Sequence, residues 1–538
     1  MTDRCPKDGM VLVLVLVVIA VVALAGLTFS ELMLVERKAA DLSCRQAQAR
    51  CSADSGLQMV RLFMAQPIET IDQSGGWYDN GAQFQRTLVA DSDAAVERGC
   101  FAVVAPTVDQ NGGRDIRFGI DNESSRLNLN TLLATDESEG GSAREILMQL
   151  PNMTEDTADA ILDWIDSDEI QREFGAEAAD YYSGLDPPYA PKNGPLETVE
   201  ELLLVRGVTP ELLFGADANH NGIVDENETA ADALLELDTT GGSMDCGWAA
   251  YLTLYSRESN LGPDGLPKID LNQDDLEQLH DELQQVLGAE AATFVVAYRQ
   301  NGPYSGDRTP GQSDDVELDF EQKAKHELKS ILDLIGAKVE IESSKESGSS
   351  PRQGSGGGGG RQPPGDSKEQ GNDDSEPTIL ESPFPNTPGS MGDFLPSLLE
   401  NCTTDSRSTI PGRININQAP REVLAGIPEM PAEVGEQILA TREPNPTGAD
   451  ENRLHATWIL DARIVTLDQM KALLPYVTCG GDVYRAQVIG YADGGGPAAR
   501  IEAVIDATEQ PAQVVFWRDL SHLGHGYPIE TLGVETTE

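Results

Sequence analysis

The sequence predicts an α+β protein in which a long N-terminal helix, membrane-spanning in its first part, packs on a small antiparallel sheet and an all-α domain is inserted. Three observations predict it. Residues 10–27, MVLVLVLVVIAVVALAGL, run for eighteen positions without a charge or a strongly polar group. Stretches with period-two alternation of apolar residues stand near both ends of the chain, as half-buried strands require. Between them a helix-turn-helix pattern recurs.

The apolar run comes first. A helix from Met10 to Val35 would be ~39 Å long, enough to cross a hydrocarbon core of ~30 Å. Glu36, Arg37 and Lys38 follow, and then a tract of helix formers with no Gly or Pro before Gly56. The helix is therefore expected to continue past the membrane. The leader at 1–9 is short and polar and ends in Gly9. Three readings of this N-terminus stay open on these residues. It is an uncleaved anchor, a secretory signal cut after Ala25 in Ala23-Leu24-Ala25, or a prepilin-type leader cut between Gly9 and Met10.

Strands are expected at 100–106 and 115–120, and in a C-terminal antiparallel meander at 484–491, 499–506 and 512–520. Three short stretches echo one another: RLNLNTL at 126–132, KIDLNQDDL at 268–276 and RININQAPREVL at 413–424. Each reads as a short strand whose terminal Asn caps the helix that follows. Helix-hairpin-helix units are expected at 146–165 (with Thr154 as a cap) and 423–442, and a looser copy at 199–214. Their hairpins carry Asp and Glu, so they read as packing modules rather than grips for nucleic acid. Residues 343–378 hold no aliphatic or aromatic residue and include Gly356–Gly360, the composition of a flexible linker, expected to extend to about residue 390.

The strongest local motif is DANHNGIVDENE at 217–228, which fits the calcium-loop pattern D-x-[DN]-x-[DN]-G-x5-E without a gap. Oxygen ligands are expected from Asp217, Asn219, Asn221, the carbonyl of Ile223, Asp225 and a bidentate Glu228, with Gly222 at the sharp turn. His220, at the fourth position, is expected to point outward. Asp163, Asp166 and Asp168 with Glu177 and Asp180 form a second acidic group, readable as a further oxygen site or as a solvated face.

The organisation read from the sequence is a leader at 1–9, a membrane helix at 10–35, and a helix with the first strands at 36–132. A helical insertion with the calcium loop follows at 133–245, and a second helical segment at 246–342. The linker at 343–390 leads to a helix-hairpin-helix unit and the meander at 405–538.

Charge excludes some functions. With 38 Lys+Arg against 90 Asp+Glu the chain carries −52, a field that repels polyanions, so no nucleic acid is expected as a partner. No HExxH, GxSxG or GxxxxGK[ST] pattern occurs, and no carboxylate pair stands out as catalytic. An enzyme is therefore not expected. Removal of the leader would take Cys5 and leave six cysteines with no CxxC, so disulfides are open and zinc is not indicated. Two other classes compete with a structural role: an anchored or secreted calcium-dependent hydrolase, and a DNA-uptake receptor, which the charge disfavours.

The chain resembles the K-type minor pseudopilins of the type II (general) secretion pathway. The residues that carry the resemblance are RLNLNTL at 126–132, DWIDSD at 163–168, GAEAADYY at 175–182, PPYAPKNGPL at 187–196 and ININQA at 414–419. The resemblance implies a pilin-like fold with a SAM-like inserted domain, and cleavage after Gly9 with N-methylation of Met10. It implies a structural place at the tip of the pseudopilus with the I- and J-type pseudopilins, on the inner-membrane secretion platform. The chain would then be single-pass in the inner (cytoplasmic) membrane through residues 10–35, with its body in the periplasm. Other pseudopilins carry Glu at the fifth mature position. Here that position is Leu14, the K type's own departure.

Overall fold

The computed structural model describes residues 8–108, 114–134, 142–225, 228, 242–306, 318–341, 378–387, 389–445 and 451–534. Helix α1 runs without a break from Asp8 to Met64. Residues 10–35 are exposed along their whole length. Among the described residues α1 is the one helix long and apolar enough to cross a membrane. Beyond Lys38 the helix continues, as its composition predicts.

A seven-stranded sheet receives it. The strands are β1 (Thr87–Ala90), β2 (Gly99–Val108), β3 (Arg114–Phe118), β4 (Asp121–Asn122), β5 (Val483–Ala492), β6 (Ala499–Asp506) and β7 (Gln513–Asp519). Their order is β1-β2-β5-β6-β7, with β3 beside β2 and β4 beside β5. The meander β5-β6-β7 is antiparallel, as expected. The first strands and the meander form one sheet, because β2 pairs antiparallel with β5: Val103 lies opposite Val488 and Phe101 opposite Gly490.

Alternation decides what each face holds. Ala49, Ala53, Leu57, Val60 and Phe63 of α1 pack on Phe101, Val103, Ala486, Val488, Ala499, Ile501, Ala503 and Ile505. The contact is close at Gly490, where an added Cβ would sit 2.0 Å from the Ala49 carbonyl oxygen and 2.4 Å from the Ala53 nitrogen. The far face carries Cys100, Ala102, Val104, Ile489 and Tyr491, covered by Tyr527, Leu532 and Val534 of the C-terminal segment. Arg485, Gln487, Arg500 and Glu502 alternate with the α1-facing residues and so belong to this far face.

The chain divides into two compact units. The first comprises residues 1–258, 411–430 and 480–538 and contains α1 and the sheet. Its insertion holds helices Ser142–Leu147 and Glu155–Ile165, the latter capped by Thr154, whose hydroxyl accepts from the Thr157 N–H at 3.3 Å. The second unit comprises residues 259–410 and 431–479. Its helices Leu276–Leu287 and Ala289–Asn301 meet at Gly288. Arg299 is buried there and satisfied by carbonyls alone, donating to Leu271, Asn272, Gln273 and His326.

Two expectations are corrected. In the three echoing stretches the terminal Asn caps no helix: Asn128 caps the turn Leu129–Thr131, Asp275 caps the helix after the second stretch, and the helix Arg421–Ala425 after the third has no side-chain cap. Asn128, Asp270 and Asn415 accept from the N–H groups of Asn130, Asn272 and Asn417 at 3.1, 2.8 and 3.0 Å. Such two-residue turns are the local bond that short Asn and Asp side chains make best. The amides of Asn130 and Asn272 are thereby free to pair with both backbone groups of a distant residue, Leu196 and Leu328 respectively. The linker, in turn, ends before residue 390. Thr378–Glu381 pairs antiparallel with Lys338–Ile341, and Ile379 and Phe384 are buried. Residues 342–377, the core of the expected linker, lie outside the described residues.

Candidate metal centre

The loop 217–228 begins just past a short helix, Pro210–Phe214, and is described except for residues 226 and 227. Its six expected ligand residues are brought together. The Asp217 carboxylate is buried and accepts from the N–H of Asn221 at 3.0 Å and of Gly222 at 2.8 Å. Glu228 reaches back across the loop, accepting from the N–H of Asn219 and of Asp225, each at 3.1 Å. The side-chain amides of Asn219 and Asn221 both donate to one Asp225 oxygen, at 2.8 and 3.2 Å. Ile223 donates its N–H to Asn221 at 2.9 Å and packs its side chain on the far-face core. Gly222 has φ +85°, and an added Cβ would meet Pro106 at 2.9 Å, so only glycine suits this turn.

Two features fit a hard cation. All donors are oxygens, the set that Ca²⁺ takes. The side-chain oxygen of Asn219 is buried with no hydrogen-bond partner. Burial pushes the Asp217 carboxyl up to about 6, against two N–H groups that favour its charged form, with Glu228 adding repulsion. A cation would reverse that cost. Among the described residues, no three His, Cys, Asp or Glu side chains converge as a metal-holding group. In this geometry the amide nitrogens of Asn219 and Asn221 face Asp225, so a cation requires these two amides to turn their oxygens inward.

Sequence reasoning missed what holds the loop. Arg500 is fully buried and donates through Nη2 to the carbonyls of Asn219 and His220. Gln487 donates to the His220 carbonyl at 3.1 Å, and the Tyr527 hydroxyl to the Asn221 carbonyl. The loop is thus seated on the far face of the sheet. The signal was present: polar residues alternate inside strands whose other positions are apolar. His220 is also corrected. It stacks on Phe214 with ring centroids 4.3 Å apart instead of pointing outward, and burial lowers its pKa.

Ion pairs tie the insertion to the same face. Glu123 is fully buried and accepts from Arg485 at 2.6 Å, from Arg126 at 3.2 Å, and from the Thr253 hydroxyl. Glu502 pairs with Arg485 at 3.3 Å and with Arg518 at 3.0 Å, and Arg518 also meets Glu200. Burial alone would raise both carboxyls. Arg485 with Arg126, and Arg485 with Arg518, outweigh it and hold Glu123 and Glu502 below the usual range.

The second acidic group is not a solvated face. Asp163 and Glu177 are buried, and only Asp168 and Asp180 are exposed. Burial raises Asp163 and Glu177 and pushes Asp166 to about 6, with Asp168 and Asp163 adding repulsion. Arg172 stands 3.5 Å from Asp163 and 3.8 Å from Asp166. Of the cysteines, Cys44 and Cys51 are exposed on α1, while Cys100, Cys246 and Cys402 are buried.

Residues 125–214, which include the first echoing stretch and this second acidic group, match the family model described as type II secretion system (T2SS), protein K. Over these residues the chain is similar to that family. The loop at 217–228 lies just beyond the matched residues. No curated protein matches the chain. Among solved structures, the GspK-GspI-GspJ complex from the type 2 secretion system of enterotoxigenic Escherichia coli is similar. The alignment covers 90% of this chain and 99% of that chain, at 9% identity and a TM-score of 0.35. The hydrolase alternative finds no support in the family matched.

Proposed function

We propose that this chain is a K-type minor pseudopilin, a structural, non-enzymatic cap at the tip of the type II secretion pseudopilus, assembled with I- and J-type pseudopilins and serving protein export across the outer membrane. The observation that carries the reading is Leu14 within the exposed apolar part of α1. In a stack of such helices a buried carboxylate can neutralise the N-terminal amine of the next subunit. A subunit with Leu there forgoes that pairing with a neighbour above it, and suits the end of the fibre. A large body on a single stem also caps a fibre better than it repeats within one.

The finer features belong to the same reading. Cleavage at Gly9-Met10 and methylation of Met10 release the stem from its leader, and the anchor sits in the inner membrane with the body in the periplasm. The helix-turn-helix segments at 142–165 and 421–441 act as helix-hairpin-helix packing modules of a SAM-like inserted domain, with no role toward nucleic acid. Calcium is a structural ion of the Asp217–Glu228 loop, held by Asp217, Asn219, Asn221, Ile223, Asp225 and Glu228. What supports this is the oxygen donor set and the buried, unpartnered Asn219 oxygen. When bound, the ion supplies positive charge beside the buried Asp217 and Glu228 carboxylates, and no chemistry.

The test is purification of the tagged full chain from membranes of cells that also express the I- and J-type pseudopilins and the secretion platform. Recovery of both pseudopilins in stoichiometric amounts is the expected result. Recovery of the chain alone, with normal secretion after its deletion, would contradict a tip role.

A further inference from the structure

The loop at 217–228 and the C-terminal segment compete for one side chain. Asn221 is fully buried. Its side-chain oxygen accepts from the Ile223 N–H at 2.9 Å. Its nitrogen donates to Asp225 at 3.2 Å and to the carbonyl of Gly526. An amide carries its donor and its acceptor on opposite sides of one plane. When the oxygen turns inward toward a cation, it comes to stand where the nitrogen was, against the Gly526 carbonyl. Two acceptors then face each other, and that carbonyl loses its donor.

The segment that loses the bond is lightly held. Residues 524–534 form no strand and no α-helix. Among the described residues, the N–H groups of Thr531, Gly533 and Val534 bond inside the segment, and that of Gly524 bonds Ser521 just before it. Three side chains of the body donate to its carbonyls: Asn221 to Gly526, Gln85 to Thr531 at 3.2 Å and Tyr491 to Leu532 at 2.9 Å. The Tyr527 hydroxyl donates to the backbone carbonyl of Asn221. Tyr527, Leu532 and Val534 then lie over Cys100 and Tyr491 on the far face of the sheet. Gly524 and Gly526, at φ +90° and +77°, give the segment a hinge at its start. An element held by so few bonds opens at a smaller cost than the whole fold.

We propose that Asn221 couples the cation site to this strap: a calcium ion in the loop draws the Asn221 oxygen to itself and loosens residues 524–534 from the far face of the sheet. The inference rests on the calcium reading of the loop and goes beyond it. An ion that only braces its own loop would leave the strap as it is or tighten it.

The strap is loosened and not lost. Turning the amide leaves the Tyr527 bond in place, because that bond goes to the Asn221 main chain. The bonds from Gln85 and Tyr491 are also untouched. Loss of one buried hydrogen bond should make the strap open about tenfold more often, equivalent to ~1.4 kcal/mol. Linkage works in both directions, so the docked strap weakens calcium by the same factor.

Cys100 reports on the strap. It is buried beneath it, whereas Cys44 and Cys51 are exposed and Cys402 is buried in the second unit. Maleimide labelling of the full chain in detergent, resolved by peptide mass mapping, follows each thiol in calcium and in chelator. Calcium should speed Cys100 about tenfold and leave the other three unchanged, Cys402 showing that the chain has not unfolded. Asn221→Asp brings an oxygen without a turn and cannot donate to Gly526. Its Cys100 should already be fast in chelator, and calcium should change it no further. Tyr527→Phe loses the hydroxyl bond, so it should speed Cys100 about tenfold in both conditions and keep the calcium ratio. Calcium bound by calorimetry, with wild-type Cys100 unchanged or slower while Tyr527→Phe is fast, would overturn the coupling and leave the calcium reading standing. Equal Cys100 rates in all three proteins would overturn the strap itself. No calcium binding by calorimetry would overturn the calcium reading and the coupling together.

Discussion

Replacing Asp217 by Asn should stabilise the calcium-free protein at neutral pH and destroy its response to calcium. Asp217 is 5% exposed, and burial lifts its carboxyl from 3.8 to about 6. A carboxyl raised in the folded state is better protonated there than in the unfolded chain. The folded state then binds more protons between pH 4 and 6, and stability falls as pH rises through that window. The shift of about two units corresponds to ~3 kcal/mol lost by pH 7 when no cation is present. Asn keeps one oxygen to accept from the N–H of Gly222 or Asn221 but not both, which returns ~1 kcal/mol of the gain. The net gain in chelator at pH 7 is therefore ~2 kcal/mol. In wild-type protein, calcium at a hundredfold excess over Kd should add ~2.7 kcal/mol, and protons should compete with it below pH 6. Denaturation of the full chain in detergent, with calcium and with chelator at pH 5 and pH 7, reads all four states, and hydrogen exchange at 217–225 localises them. Equal destabilisation by Asp217→Asn in calcium and in chelator, with no pH dependence in chelator, would refute the reasoning.

Other substitutions test the frame that carries the loop. Gly490→Ala should drive α1 off the sheet, since its Cβ meets the backbone of Ala49 and Ala53 at 2.0 and 2.4 Å. A loss of ~3 kcal/mol or more is expected, seen as faster proteolysis within β5. Glu123→Gln should cost ~3 kcal/mol by leaving Arg485 and Arg126 without their buried partner, measured by denaturant midpoint. Because Glu123 is held below its usual range, its contribution is present at neutral pH and lost on acidification, so the variant and the wild type should converge at low pH. His220→Ala should lower loop stability through the lost Phe214 stack by ~1 kcal/mol without abolishing calcium binding, as calorimetry would show.

Local signals were legible and long-range ones were not. The stem could be read because an apolar run followed by helix formers leaves the backbone one choice, and β5 to β7 because alternation and Gly-rich turns are local. The pairing of β2 with β5 joins residues nearly four hundred positions apart, and nothing in either strand names its partner. The caps were misassigned, since alternation places a strand end but does not say which side chain turns back on the backbone or where the next helix starts. The loop at 217–228 was singled out by its spacing. Its seat was not, because Gln487, Arg500 and Tyr527 lie far away in sequence and only the fold brings them under Asn219, His220 and Asn221.

The mature N-terminus tests most directly the proposal that the chain is a processed minor pseudopilin. Intact-mass and N-terminal mass spectrometry of the full chain, purified from membranes that contain a prepilin peptidase, should find Met10 as the first residue, carrying one methyl group on its amine, and no trace of residues 1–9. A chain that retains its leader, or one that begins at Gly26, would contradict it.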